Sequence, residues 1–199
     1  AKYVATSTLE AGLDVKSMSE TSTKVFILEV MGRHAGWIAA ASALAARNET
    51  DPPHIILMPE VPFAKKKFID KVKQTVASEG FCVVVASEGT RYKNGMFLAD
   101  SGLKDAFGHK QLGGVAPVLA QMISSIGLKN HWAVSDYLQR SARHISSKTD
   151  LDQAYAVGRK AVEFALAGKN AVMPVIKRLS NKPYKLSLIH ISEPTRRDQ

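Results

Sequence analysis

Short, β-branched apolar runs alternate along this chain with segments of helical character, and this alternation restricts the possible folds more than any other feature. Residues 25–30 and 81–86 are almost continuously apolar and are followed by glycine-containing turns. Runs of this length are typical of strands that are covered on both faces. Because parallel neighbours need a helical crossover, the pattern predicts an α/β fold in three layers, with a mostly parallel sheet and helices on both faces.

The predicted elements follow one another in a regular order. We expect helices at 4–18, 36–47, 65–78, 115–126 and 150–167, and strands at 25–30, 55–58, 81–86, 132–134 and 171–176. In sheets of this class, ligands bind at the carboxyl ends of the strands. Residues 186–199 join no predicted element. We expect them to be an atypical tail that is disordered or of non-native origin, such as translated adaptor sequence.

Charge and cysteine content limit the possible partners. The 199 residues include 27 Lys and Arg against 18 Asp and Glu, a formal net charge of +9. A basic balance attracts phosphate groups, so a basic nucleic-acid-binding module is one hypothesis. The cations are scattered, however, and no nucleic-acid-binding motif occurs. A single cysteine, Cys82, cannot form an intramolecular disulfide or a cysteine-rich zinc site, which fits a reducing compartment.

Neither a membrane segment nor a signal peptide is predicted. Every uninterrupted apolar stretch is shorter than the ~18 residues that a membrane helix needs, and the first residues lack the basic-then-apolar order of a signal peptide. We therefore expect a cytoplasmic protein with no membrane partner. The chain begins at Ala1 with helix-like composition and no initiator Met, so we expect it to be a piece of a longer protein.

The first candidate site is the turn Met31-Gly32-Arg33, which lies between a predicted strand and an alanine-rich helix. Backbone N–H groups at the start of a helix favour an anion. Gly32 allows the backbone to approach a ligand closely, and Arg33 offers a forked donor to phosphate. Many such turns only connect two elements, and from the pattern alone this alternative carries equal weight.

Two further strand ends carry polar side chains. Glu88 follows the strand at 81–86, where it either binds sugar hydroxyls or caps the next turn, and the pattern alone favours the cap. Tyr137 and Arg140 are three residues apart and can face one anionic group if the segment turns. The alternative is a surface arginine beside a core tyrosine.

Two other features predict no ligand. The glycine-rich loop at 108–114 matches no phosphate-loop spacing, so we interpret it as a connection. The histidines are dispersed along the chain, and no metal site is predicted.

Four segments taken in order carry a family resemblance: residues 25–38, Pro59-Glu60-Val61-Pro62, Ser87-Glu88-Gly89 and Tyr137-Leu138-Gln139-Arg140. Over about residues 1–185 the chain resembles the 6-phosphofructokinase family. Its Tyr-x-x-Arg form and the continuation through Trp37 look more like the pyrophosphate-dependent branch than the ATP-dependent one.

The resemblance implies a kinase-type transferase of glycolysis. Such an enzyme moves a phosphoryl group from pyrophosphate or ATP to the 1-hydroxyl of fructose 6-phosphate, giving fructose 1,6-bisphosphate, with Mg²⁺ as cofactor. Residues 1–185 would form the portion that binds fructose 6-phosphate. By this resemblance Met31, Gly32 and Arg33 would contact the sugar phosphate, and Arg33 would also be catalytic. Glu88 would bind the sugar hydroxyls, and Tyr137 and Arg140 would bind the 6-phosphate. Lys24 would contact a neighbouring subunit's site in a homo-oligomer.

Two motifs of that family, a Gly-Gly-Asp donor loop and Thr-x-Asp-x-Asp, do not occur in these 199 residues. In the family they carry the catalytic base and the metal ligands, on which phosphoryl transfer depends. We therefore expect this chain to be inactive by itself and to hold no metal ligands. A non-catalytic regulatory subunit on the same fold is the alternative.

Overall fold

The computed structural model describes residues 1–104, 110–112 and 114–192. In the glycine-rich loop at 108–114, residues 108, 109 and 113 lie outside the described residues, as does the end of the tail, residues 193–199. The chain divides into two compact units, residues 1–145 and residues 146–199. The candidate site residues all belong to the first unit.

The first unit is built around a four-stranded parallel sheet with the strand order β2-β3-β1-β6. Its elements are α1 (Lys2–Met18), β1 (Val25–Val30), α2 (Trp37–Ala41), β2 (Ile55–Leu57), α3 (Lys65–Glu79), β3 (Cys82–Ser87), β4 (Asp100–Lys104), β5 (Lys110–Leu112), α4 (Val115–Ser124), β6 (Asn130–Val134) and α5 (Leu138–Ser141). The antiparallel pair β4–β5 was not predicted. The α/β class with a parallel sheet is confirmed.

Successive residues of the central strands bury their side chains on opposite faces of the sheet. Ile27 of β1 and Val84 of β3 pack with α3 and α4. Their neighbours Leu28 and Val85 pack on the other face, together with α1 and α2. Each such side chain contributes about 1.5–3 kcal/mol when fully buried. The predicted three layers, with helices on both faces, are therefore present.

The carboxyl ends of β1 and β3 lie side by side at one edge of the sheet, because the two strands are parallel neighbours with Val30 opposite Ser87. From β1 the chain passes beyond β3 to reach β2, and from β3 it passes beyond β1 to reach β6. In open parallel sheets, ligands bind outside the carboxyl ends of the strands. Met31 and Glu88 follow these two strands directly, so the pairing of the strands brings them to the same edge.

The helix predicted at 36–47 is shorter than expected. The α-helix ends at Ala41, and a 3₁₀ turn follows over Ser42–Ala45. Ser42 Oγ donates to the carbonyl oxygen of Ala39 at 2.5 Å. A serine hydroxyl that bonds back to the preceding turn competes with the regular helical pattern.

The second unit contains α6 (Lys148–Leu166), β7 (Val172–Asn181) and β8 (Tyr184–Ser192). The two strands form an antiparallel hairpin. Residues 186–192 therefore lie in a strand, although the sequence pattern assigned no element to them; their partner strand supplies the pairing that the isolated segment does not show. The non-native origin of the tail stays a prediction. In the described part of the chain, no helix is both long enough and apolar enough to cross a membrane.

His54, which precedes β2, joins that edge of the sheet to β3. Its Nδ1 accepts a hydrogen bond from the backbone N–H of Val83 at 2.9 Å, and its ring packs edge-on against Phe81 with 5.0 Å between centroids. Burial lowers the pKa of His54 below its usual value. The neutral ring is therefore the form that the folded chain favours.

We expect His54 to make the first unit less stable in mild acid. The unfolded chain binds a proton at His54 near pH 6.5, whereas the folded chain binds it only at a lower pH, so the free energy of unfolding falls as the pH drops below about 6.5. Urea unfolding followed by tryptophan fluorescence measures this, because Trp37 and Trp132 both lie in the first unit. The variant His54→Asn should lose that part of the pH dependence, and an unchanged slope in the variant would contradict the assignment.

Candidate functional site

A cavity of about 300 Å³ opens at the carboxyl ends of β1, β3 and β6. Parallel sheets of this class bind ligands at the carboxyl ends of their strands, and the volume suits a small ligand. Three acidic side chains contribute to the lining, which consists of Glu29, Val30, Met31, Glu88, Gly114, Val134 and Asp136. The cavity therefore includes two of the predicted site residues, Met31 and Glu88, and two carboxylates that were not predicted.

The turn after β1 is held by side chains at the end of β3, directly after β3, and after β6. The N–H of Gly32 donates to Glu88 Oε1 at 3.1 Å, and the hydroxyl of Ser87 donates to the carbonyl of Gly32. The N–H of Met31 donates to Gln139 Oε1 at 3.4 Å. Gly32 has a φ of 137°, a backbone angle that side chains other than glycine rarely allow. These backbone donors thus already have partners within the chain.

Gly89 brings the turn after β3 into direct contact with the turn after β1. A Cβ atom at Gly89 would lie 2.0 Å from the carbonyl oxygen of Arg33, so only glycine fits this position. Arg91 Nη2 donates to the same oxygen at 3.1 Å, and the Arg91 guanidinium lies 4.9 Å from the ring centre of Phe97. The backbone of Arg33 is therefore fixed, while its side chain is partly exposed.

The residue directly before α2 is held by a third loop. The N–H of Gly36 donates to Glu60 Oε1 at 2.7 Å. Glu60 belongs to the Pro59–Pro62 segment that supported the family resemblance, but no role was predicted for it. Its carboxylate occupies one of the backbone donors at the start of α2 that were predicted to attract an anion.

Glu29 is a buried carboxylate in the wall of the cavity. Its residue is only 5 % exposed, and its Oε2 accepts a hydrogen bond from the N–H of Ala116 at 2.7 Å. Burial raises the pKa of Glu29; hydrogen bonding to the N–H groups of Ala116 and Val115 opposes this, and the charge of Glu88 adds to the rise. Glu29 was not predicted as a site residue. The sequence nevertheless indicates it, because Glu29 is the one acidic residue in an otherwise apolar strand.

Tyr137 and Arg140 contact each other beside the cavity without lining it. The Arg140 guanidinium lies 4.6 Å from the ring centre of Tyr137, and the tyrosine is 67 % exposed. They follow Asp136, which does line the cavity and has a φ of 37°, an angle that aspartate tolerates better than most residues. The segment therefore turns as the prediction required, and the two side chains share a face.

Lys24 lies at the opposite end of β1 from Met31. Its Nζ donates to the carbonyl oxygen of Ser19, and the length of the strand, about 20 Å for six residues, separates it from the cavity. Its contact with a neighbouring subunit's site stays a prediction.

The three cavity carboxylates do not form a metal centre. Among the residues that the structure describes, no three His, Cys, Asp or Glu side chains are grouped so that they could hold a metal ion. The described residues thus do not fit a magnesium site.

Comparison with known proteins gives consistent matches. The family description "Phosphofructokinase" matches residues 4–165. The pyrophosphate–fructose 6-phosphate 1-phosphotransferase of Halomonas elongata is 65 % identical over 185 residues, which cover 92 % of this chain and 44 % of that protein. The enzyme of the same name from Methylococcus capsulatus is 56 % identical over 186 residues, covering 93 % and 44 %.

A crystal structure of pyrophosphate-dependent phosphofructokinase from Marinobacter aquaeolei superposes on this chain with a TM-score of 0.80 at 56 % identity, covering 100 % of this chain and 46 % of that one. The chain thus spans less than half the length of these relatives.

We expect Gly89→Ala to destabilise the first unit by about 3 kcal/mol, because the added methyl group meets a backbone oxygen that cannot move aside. Gly95→Ala is the matched control: nothing lies within 4 Å of its Cβ, and only its φ of 82° is unfavourable, a cost of about 1 kcal/mol. Urea unfolding followed by tryptophan fluorescence compares the two. Equal losses in both variants would show that the contact between the two turns is not tight.

Proposed function

This chain belongs to the phosphofructokinase family, and on that basis we propose that it forms the fructose 6-phosphate-binding portion of a pyrophosphate-dependent 6-phosphofructokinase. The observation that carries the proposal is the convergence of the Met31–Arg33 turn and Glu88 on one cavity. They come from separate strands, and the hydrogen bond from Gly32 to Glu88 joins them at the cavity wall. The relatives that bear this activity in their names support the choice of substrate.

Glu88 suits the sugar hydroxyls. A carboxylate has about four lone-pair positions, and the hydrogen bond from Gly32 uses one of them on Oε1. The remaining positions can accept hydroxyl donors from a sugar that enters the cavity. The other acidic residues of the lining, Glu29 and Asp136, also favour hydroxyl groups over phosphate.

The cations that suit the phosphate group lie beside the cavity rather than in its lining. Arg140 stacks on Tyr137 directly after the cavity residue Asp136, and we assign both side chains to the 6-phosphate. A guanidinium offers a planar pair of donors that matches phosphate oxygens. This arrangement orients a hexose phosphate with its hydroxyls inward and its 6-phosphate outward.

The complete enzyme would transfer one phosphoryl group of pyrophosphate to the 1-hydroxyl of fructose 6-phosphate, releasing inorganic phosphate and fructose 1,6-bisphosphate. Within this chain Arg33 would stabilise the negative charge of the transferring group. Mg²⁺ supplies charge neutralisation in such reactions when it is bound. The base that accepts the hydroxyl proton and the metal ligands would come from outside this chain, which by itself would not turn over.

The remaining features of the proposal concern the protein's setting. We assign it to the cytoplasm and to glycolysis, with no nucleic-acid or membrane partner. We assign it also to a homo-oligomer in which Lys24 reaches a neighbouring subunit's site. ATP is the alternative donor: a relative named ATP-dependent 6-phosphofructokinase 3, from Streptomyces coelicolor, is 33 % identical over 167 residues.

Calorimetric titration of the chain with fructose 6-phosphate tests the proposed site. We expect Arg140→Ala to weaken binding at least tenfold, because a charge-assisted hydrogen bond to phosphate contributes about 1.5–3 kcal/mol. We expect Glu88→Ala to weaken it by a similar factor through the sugar hydroxyls.

The control is Arg47→Ala, which removes an exposed arginine outside the cavity lining and should leave the affinity unchanged. Titration with unphosphorylated fructose separates the two roles, since its binding should depend on Glu88 and not on Arg140. Failure of the unaltered chain to bind fructose 6-phosphate, or equal affinity of all variants, would refute the assignment.

A further inference from the structure

Helix α4 begins at the cavity without a cap of its own. Its N-cap residue is Gly114, which has no side chain to bond the first turn and adopts a φ of 95°. The free N–H groups at the start of a helix, together with the helix dipole, attract anions. A bare helix start beside a phosphate-binding cavity would therefore compete for the phosphate group.

Glu29 fills this position from another part of the chain. Its Oε2 accepts the hydrogen bond of the Ala116 N–H at 2.7 Å, and the N–H of Val115 also stabilises its ionised form. The carboxylate is buried, yet it belongs to the cavity lining. It thus places an internal carboxylate where an external anion would otherwise bind.

We infer that Glu29 is a specificity-determining residue that keeps phosphate groups out of the inner part of the cavity. Its carboxylate occupies the donors of α4 and presents negative charge to any anion that enters. Glu88 and Asp136 line the same cavity and add to this charge. If the proposed function holds, the result is a single orientation for the sugar phosphate, with its hydroxyls toward Glu88 and its phosphate toward Arg140.

Sulfate binding to Glu29→Gln tests this inference without any sugar. Glutamine removes the negative charge, and its neutral amide oxygen holds the Ala116 N–H less strongly than a carboxylate does, so a sulfate ion can replace it at this donor. We expect sulfate to bind at least about tenfold more tightly to the variant than to the unaltered chain. In NMR titrations, the amide resonances of Val115 and Ala116 should move in the variant only.

The matched control is Glu10→Gln, which removes the same charge from an exposed position on α1 and should leave sulfate binding unchanged. An equal gain in both variants, or no gain in Glu29→Gln, would overturn the inference. The inference would also be overturned if sulfate bound Glu29→Gln more tightly but shifted amide resonances other than those of Val115 and Ala116. Loss of fold cannot imitate the expected result, because the prediction is a gain of binding at two named amides.

A second measurement uses the unaltered chain. Sulfate stays doubly charged in mild acid, whereas Glu29 protonates at a higher pH than an ordinary carboxyl group because burial raises its pKa. Sulfate should therefore begin to move the Ala116 resonance as the pH falls. The other titratable groups that face Glu29 are Glu88 and Asp136, and the comparison with Glu29→Gln separates their contribution.

A sulfate effect on Ala116 at neutral pH, or none on acidification, would contradict the inference. Neither sulfate experiment depends on whether the chain binds fructose 6-phosphate. Failure of the proposed function is thus distinguishable from failure of this inference.

Discussion

The contact between the turns after β1 and β3 is the constraint on which the candidate site depends. Gly89 lies so close to the carbonyl of Arg33 that no side chain fits between them, and the bonds from Gly32 to Glu88 and from Ser87 to Gly32 close the same junction. Backbone atoms cannot adjust as side chains do. The junction therefore fixes where Met31, Arg33 and Glu88 stand relative to the cavity before any ligand arrives.

Charge is distributed unevenly around this junction. Carboxylates line the cavity, whereas Arg33 and Arg140 lie outside its lining. A ligand with hydroxyl groups at one end and a phosphate at the other matches such a division, because each end meets groups of the suitable kind. A uniformly basic pocket would bind phosphate more strongly but would not orient it. The net charge of the whole chain, +9, conceals this local arrangement.

Much of the fold follows from patterns that are local in the sequence. The apolar runs at β1 and β3 predict buried parallel strands, and strand ends predict Met31, Gly32 and Glu88 as site residues. Glu29, Glu60 and Gln139 were missed as partners because each meets a backbone N–H that is distant in sequence. The strand β8 was missed for the same reason, since its pairing with β7 is a property of two segments together. The contact between Arg140 and Tyr137 could be predicted from the sequence. It requires only that the segment turns, because the two residues are three positions apart.

The cap of α4 has a consequence for how the chain acquires its structure. Glu29 and Ala116 are 87 positions apart, so this hydrogen bond forms only after a long loop has closed, at a substantial entropic cost. Helix nucleation is unfavourable without stabilisation of the first turn. The start of α4 is therefore fully capped only when the central strand is in place, and this wall of the cavity depends on the assembled sheet as well as on the helix itself.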